Sequence, residues 1–368
     1  MQNISESAKS VLDMFPLPGV LTGAVRYGQG HINETYRVTC CRREEGSVRF
    51  ILQGISPAAF PCPEKLMENF VGITTHLRKK IIENGGDPLR ETLSVVKTKT
   101  GEDYHTDADG KVWRLMPFIE DTICLQAATP ALFEASARAF GRFQYLLQDY
   151  PVHTLHETIK DFHNTEDRLK KFEAALAEDV LGRAAGVAQE IRFVLDRKDL
   201  CSVAMQALRE GKLPLRVTHN DTKLNNVLLD KQTGEGVCVV DLDTTMPGLS
   251  IYDFGDSIRF GANHCQEDEQ DLSKVAFDID LFEVYTRGFL QGTNGALTAA
   301  ELEYLPWGAV LMTFECGMRF LTDYLQGDTY FHVSFPEQNR YRCRTQFKLV
   351  QDMQQQFAAM QAIVSKYA

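Results

Sequence analysis

Apolar and polar positions alternate in the first third of the chain, in short runs bounded by glycine and proline. Residues 20–39 read as two strands around a turn at Gly28-Gln29-Gly30, and 48–53 as a third strand. Between Pro63 and Asn84 the period lengthens. Leu66, Phe70, Ile73, Leu77 and Ile81 recur at helical spacing, Pro63 suits a first turn, and Gly85-Gly86 an end. Apolar runs at 93–98 and 112–118 predict two more strands. After Glu120 the helical period takes over. Phe133, Ala137, Phe140, Phe143 and Leu147 make one stripe and Leu169, Phe172 and Leu176 another, in a helix over 165–177. Further helices are predicted over 185–195, 200–210, 272–291, 299–326 and 344–366. The pattern describes an α+β chain: a small lobe of antiparallel strands with one helix over 1–117, and a larger, mainly helical lobe over 118–368.

One stretch, 216–259, interrupts the helices with two apolar runs that each end in polar residues. Val217 leads into His219, Asp221 and Asn226; residues 237–240 lead into Asp241 and Asp243. The pattern His-x-Asp-x-x-x-x-Asn, followed by a buried strand ending in Asp, suits phosphoryl transfer, which needs positioning and charge neutralisation more than covalent chemistry. Asp221 is placed to accept the proton of an acceptor hydroxyl. Asn226 and Asp241 offer hard oxygen ligands for Mg²⁺, with Asp243 as a second metal carboxylate. Lys223 can bring an ammonium to the transferring phosphate. His219, grouped with the catalytic residues, is expected to support the loop by hydrogen bonding. Asp253-Phe254-Gly255 spells a protein-kinase metal motif, but it lies too far beyond Asp221 and follows no buried strand. Asp253 is expected instead to accept backbone N–H groups of the catalytic loop.

ATP is the expected cofactor. Gly28 and Gly30 would let a hairpin turn approach the nucleotide phosphates. Residues 113–119 would form the hinge between lobes, with Met116 and Phe118 beside the adenine. Gln53 stands where a third-strand lysine usually grips the phosphates. Lys223, Mg²⁺ and loop amides are expected to supply the missing charge, and Glu64 and Glu68 are both open as partners on the first long helix.

The formal net charge is −11 and no long basic run occurs, which argues against a nucleic-acid partner. The nine cysteines include no C-x-x-C pair, so a zinc site is not expected, and their scatter suits reduced thiols. The first residues lack a secretory pattern and no apolar stretch is long enough to span a bilayer, so a cytoplasmic chain without a membrane partner is expected. Oligomeric state stays open.

Five segments carry a family resemblance: 28–36 (GQGHINETY), 216–226 (RVTHNDTKLNN), 240–247 (VDLDTTMP), 252–261 (YDFGDSIRFG) and 315–331 (ECGMRFLTDYLQGDTYF). The chain resembles the aminoglycoside phosphotransferase and choline kinase superfamily, which implies the protein-kinase-like two-lobed fold. It is similar in particular to the N-acetylhexosamine 1-kinase branch. That resemblance implies a sugar acceptor phosphorylated on its anomeric hydroxyl, Asp221 as base, Asn226 and Asp241 on Mg²⁺, and Arg319 and Tyr330 on the sugar. His31 and Asn33, in the turn that follows Gly28, are further candidate substrate-binding residues. The residues fit such an acceptor. Arg319 can donate to an acetamido carbonyl, Tyr330 can stack on a sugar face, and Asp323 and Asp328 can accept sugar hydroxyls. The competing reading of Arg319 is a salt bridge with Glu315 one helical turn away. Two alternatives to a hexosamine kinase stand: a kinase of aminoglycoside or choline-like acceptors, whose pocket should be rich in carboxylates or aromatic cages, and a nucleotide-binding pseudokinase, for which Gln53 gives a foothold.

Overall fold

The structure, a computed structural model, describes residues 5–28, 32–42, 46–127 and 129–368. It opens with a short helix, α1 (Glu6–Leu12), whose N-cap Ser5 accepts a hydrogen bond from the Ala8 N–H. Strands β1 (Val20–Arg26), β2 (Glu34–Arg42) and β3 (Gly46–Gly54) follow, then helix α2 (Pro63–Glu83), β4 (His105–Thr106) and β5 (Val112–Pro117). These strands form a five-stranded sheet of order β1-β2-β3-β5-β4, with antiparallel pairing throughout.

Period-two alternation divides the residues of this sheet between two faces. Val38, Phe50, Leu52, Trp113 and Leu115 share a cluster with Val11 and Leu12 of α1 and with Phe15. Met116 belongs instead to the cluster that holds Leu66, Phe70 and Ile73 of α2. The register sets Gln53 opposite Arg114. The run at 93–98 is not a strand: Val96 N–H donates to the Leu115 carbonyl at 2.7 Å, and the backbone then turns at Thr98–Gly101. One bond to the sheet does not make a ladder.

The second lobe is mainly helical. A short strand β6 (Thr122–Ile123) precedes α3 (Pro130–Leu146), α4 (Thr165–Glu178), α5 (Ala188–Leu195) and α6 (Val203–Arg209). Four short strands carry the motif stretch: β7 (Arg216–Thr218), β8 (Val227–Asp230), β9 (Gly236–Val239) and β10 (Met246–Gly248). They pair as β6-β8-β9 and β10-β7. Helices α7 (Ser250–Gly261), α8 (Ile279–Thr293), α9 (Ala299–Gln326), α10 (Gln338–Gln355) and α11 (Phe357–Tyr367) complete the lobe. Two predicted helices differ from these. The one expected from 272 starts at Ile279, where the Asp278 side chain caps the Asp280 and Leu281 N–H groups. The one expected over 344–366 starts earlier, at Gln338, and breaks at Gln356 into α10 and α11. Helix α9 keeps its predicted bounds, between a Thr298/Glu301 capping box and Gly327 at φ 96°.

Helices α7 and α9 cross at backbone contact. A Cβ added at Gly255 would lie 2.1 Å from the Gly308 carbonyl oxygen, and one at Gly308 would lie 2.2 Å from the Ile251 carbonyl oxygen. Among the described residues no helix is long and apolar enough to cross a membrane.

Candidate active site

The loop after β7 is built around a reversed backbone. Asn220 takes φ 65°, a left-handed conformation for which its side chain compensates. The Asn220 amide donates to the Thr218 and Thr244 carbonyls and accepts from the Thr218 hydroxyl. Helix α7 then fixes the loop. The Asp253 carboxylate accepts the backbone N–H groups of His219 at 2.9 Å and Asn220 at 2.8 Å, and the Gln144 amide at 3.0 Å. Asp256 accepts the Thr222 N–H at 2.9 Å, and the Ser257 hydroxyl donates to the Thr222 carbonyl at 2.7 Å. The literal Asp-Phe-Gly is therefore a buried brace inside a helix.

His219 is enclosed by the fold. It is 0% exposed, with Phe140 and Phe143 edge-on to its ring. Its Nδ1 accepts the Asp221 N–H at 3.2 Å, so Nε2 carries the proton and donates to the Val240 carbonyl at 2.9 Å. Both ring nitrogens are thus committed to backbone, as expected of a residue that supports the loop.

Asp221 is half-buried. The Asn226 amide nitrogen donates to its carboxylate at 3.0 Å and to its carbonyl at 2.7 Å, which turns the Asn226 Oδ1 away from it. The Lys223 ammonium sits 2.7 Å from the other carboxylate oxygen. Burial alone would lower the Lys223 ammonium, but Asp221 and Asp256 outweigh it and raise it. The Val240 N–H donates to the Asn226 carbonyl at 2.9 Å, setting Asp241 beside Asn226. Asp241 takes φ 61° and leaves part of its surface exposed. The protein around it, then the charges of Asp243 and Asp221, raise its carboxyl to about 6. Carboxylates crowded in this way, with an amide oxygen alongside, form a donor set that fits a hard divalent cation.

Asp243 is 2% exposed, and both of its oxygens already have partners. Arg114 of β5, 1% exposed, donates to Oδ1 at 2.5 Å, and Asn33 donates to Oδ2 at 2.6 Å. The same guanidinium donates to the Gln53 amide oxygen through Nε at 3.1 Å and Nη2 at 2.5 Å. Gln53 in turn donates to the Thr35 hydroxyl at 3.3 Å. Asn33, expected on the substrate side, is thus tied at both ends, since its Oδ1 accepts the Ser56 N–H at 2.9 Å. Glu68 bonds His156 at 2.6 Å, so it is no partner for this group.

At the hinge, the Phe118 N–H donates to the Arg49 carbonyl at 3.1 Å. Phe50 and Pro117 are consequently a non-hydrogen-bonded pair, and the Pro117 carbonyl points off the β3 ladder. Proline is tolerated there because its missing N–H would point off the ladder too. The Phe118 ring stands edge-on to Tyr27 at 5.7 Å, under the Arg49 guanidinium at 4.7 Å. Met116 is buried in the core. Gly28 has φ 81° and open space where a Cβ would stand, so backbone conformation is what requires glycine. Gly30 and His31 lie outside the described residues.

A chain of contacts leads from the catalytic loop to α9. His163 bonds the Asn220 carbonyl at 3.2 Å and Glu315 at 2.9 Å. The adjoining Phe162 ring lies 5.6 Å from the Arg319 guanidinium, which Tyr330 and Phe331 also flank at 5.7 and 5.4 Å. Arg319 reaches the Tyr330 hydroxyl at 3.4 Å and makes no ion pair among the described residues. The expected salt bridge with Glu315 does not form, because that carboxylate takes His163 and the Thr165 hydroxyl. Asp323 and Asp328 are not free for hydroxyls either. Asp323 accepts the N–H groups of Thr329, Tyr330 and Phe331, and Asp328 pairs with Arg183 at 2.7 Å.

Residues 23–287 match the phosphotransferase enzyme family. The chain belongs to that family. Solved structures with the same fold include a microcompartment-associated aminopropanol kinase (16% identity, 96% of this chain and 97% of that one, TM-score 0.57). They also include an aminoglycoside phosphotransferase from Alicyclobacillus acidocaldarius (12%, 100% and 98%, 0.59) and a choline kinase from Cryptosporidium parvum (10%, 94% and 92%, 0.58). The protein-kinase-like architecture is that of these phosphotransferases, with the small antiparallel sheet and the helical lobe.

In this phosphotransferase, then, Asp221, Lys223, Asn226 and Asp241 gather at one place, and Arg319 and Tyr330 at another linked to it through His163. Asp243, Asn33 and Gln53 form a third group. Two functional candidates were missed. Arg114 had no visible partner without the β3–β5 register. Arg168 donates to the Phe162 carbonyl at 2.6 Å; burial and the charge of Arg319 hold its guanidinium below its ordinary value.

Proposed function

We propose that the chain is an ATP- and Mg²⁺-dependent kinase that phosphorylates the anomeric hydroxyl of N-acetylhexosamines. The observation that carries the acceptor class is Arg319, flanked by aromatic rings, with Arg168 near it and with Glu315, Asp323 and Asp328 all committed to other donors. Such an end favours an acceptor rich in carbonyl and hydroxyl oxygen and disfavours a polycation. Tyr330, 70% exposed, offers a ring face to a pyranose.

On this reading residues 1–117 cover the nucleotide, and 118–368 carry the catalytic loop, the metal ligands and the acceptor. The adenine edge is read by the Pro117 carbonyl and the Ile119 N–H. Asn226 Oδ1 and the Asp241 carboxylate would hold Mg²⁺, which neutralises phosphate charge when bound. Asp221 orients the anomeric oxygen and takes its proton as the bond to the γ-phosphorus forms and the bond to the β–γ bridging oxygen breaks, releasing ADP. Lys223, beside Asp221, lowers the cost of charge on the transferring group.

The test is ADP release from Mg·ATP with N-acetylglucosamine, N-acetylgalactosamine, choline and kanamycin, with the phosphorylated carbon assigned by NMR. Turnover on the acetylated sugars giving the 1-phosphate is expected. Turnover on a cation alone overturns the acceptor reading, and Mg·ATP binding without turnover on any acceptor would favour a pseudokinase.

A further inference from the structure

We propose that Arg114 and Asp243 form a strut between the lobes that positions the metal loop and the nucleotide-covering hairpin together, and that Asp243 is not itself a metal ligand. The proposal rests on the phosphotransferase reading and is independent of the acceptor's identity.

Strand β3 carries no lysine. Gln53 is neutral, yet a buried cation does stand beside it, delivered from the neighbouring strand instead of from β3. The Arg114 fork reaches in two directions. Its bonds to Gln53, and through Gln53 to the Thr35 hydroxyl, lead to the base of the hairpin that contains Gly28. Its bond to Asp243 leads to the loop whose first residue is Asp241. Asn33 closes the circuit by donating to the other oxygen of Asp243 while accepting the Ser56 N–H. The guanidinium lies 4.2 Å from the Phe70 ring centroid and 3.9 Å from the Met67 sulfur, so α2 holds it by packing and supplies no carboxylate. Strand β5, helix α2, the hairpin and the metal loop thus meet on one side chain pair.

The geometry also separates the two aspartates of the metal loop. Asp241 is exposed at φ 61°, next to the Val240 N–H that bonds the Asn226 carbonyl; Asp243 is buried with one N-lobe donor on each oxygen. A buried ion pair joined by hydrogen bonds on both carboxylate oxygens is costly to break from one side, because the remaining charge is left without a partner. It therefore fixes the loop more firmly than a solvated ligand would.

The test is a double-mutant cycle on the full chain, read by ADP binding with Mn²⁺ titrated as the metal, using R114M, D243N and R114M/D243N, with R114K as the conservative variant. Each single substitution is expected to weaken metal·ADP binding by about tenfold or more. The double variant, which folds without a lone buried charge, should be no weaker than the worse single, and R114K should recover part of the loss. Metal bound per ADP should stay unchanged in all four. If D243N costs as much in the R114M background as in the parent, or lowers the metal bound per ADP, Asp243 is a ligand and the proposal fails. It fails equally if R114M lowers the melting temperature while metal·ADP affinity is kept. Because no acceptor is present, a wrong acceptor assignment leaves these outcomes readable.

Discussion

The Asp253 carboxylate accepts the N–H groups of His219 and Asn220 at 2.9 and 2.8 Å, so the loop that carries Asp221 hangs on the first turns of a buried helix. Asp253→Asn puts an amide NH₂ against backbone donors. We expect it to cost about 1–3 kcal/mol of stability and about 100-fold in kcat through misplacement of Asp221. Thermal melts and steady-state kinetics check both.

On the proposed reading, Asp221→Ala should remove the proton acceptor without removing the metal ligands. We expect a loss of about 100- to 10,000-fold in kcat, with ADP affinity in the presence of Mg²⁺ changed little. Calorimetric titration against the turnover assay separates the two quantities.

Glu301 links acid sensitivity to the α9 N-terminus. Burial by itself would raise its carboxyl; Arg216, the Thr298 N–H and the Ser250 hydroxyl outweigh it and hold it below its ordinary 4.5. A depressed carboxyl contributes stability that is full above that value and is lost as pH falls through the lowered one. Glu301→Gln should therefore cost about 3–5 kcal/mol near neutral pH and flatten the fall in melting temperature below pH 4.5.

Arg319→Met keeps packing among the rings of Phe162 and Phe331 but removes the donors. On the hexosamine reading the acceptor KM should rise about 10- to 100-fold, with the KM for Mg·ATP unmoved. A rise in both would place Arg319 outside the acceptor pocket.

Gly255→Ala forces a methyl to within 2.1 Å of the Gly308 carbonyl oxygen. Overpacking of about 1–3 kcal/mol or more is expected. Because α7 also carries Asp253, activity should fall more than the stability loss alone predicts, as kinetics below the melting transition will show.

Much of this was legible in the chain. Asp221, Asn226 and Asp241 lie in one short segment, and its spacing and flanking apolar runs already suggested that they come together, as they do. Long helices such as α9 announced themselves through periodicity. What stayed hidden depends on contacts between distant residues. Arg114 meets Gln53 at a separation of 61 positions and Asp243 at 129, set by register and lobe packing. Asp323 and Asp328 read as acceptor groups because a carboxylate that caps a turn, as Asp323 does, or pairs with a distant arginine, as Asp328 does, has the same letter as one that faces a ligand. Helix α1 is too short, at seven residues, to show a period.

The crossing of α7 and α9 through Gly255 and Gly308 has a consequence for how such a kinase diverges. Helix α9 carries Glu315 and Arg319, and α7 carries the residues that hang the catalytic loop. Where two helices touch backbone to backbone, one cannot slide along the other to admit a bulkier acceptor. On the hexosamine reading, a change of acceptor would then have to come from side chains near the end of α9 and in the turn that follows it, not from a shift of the crossing.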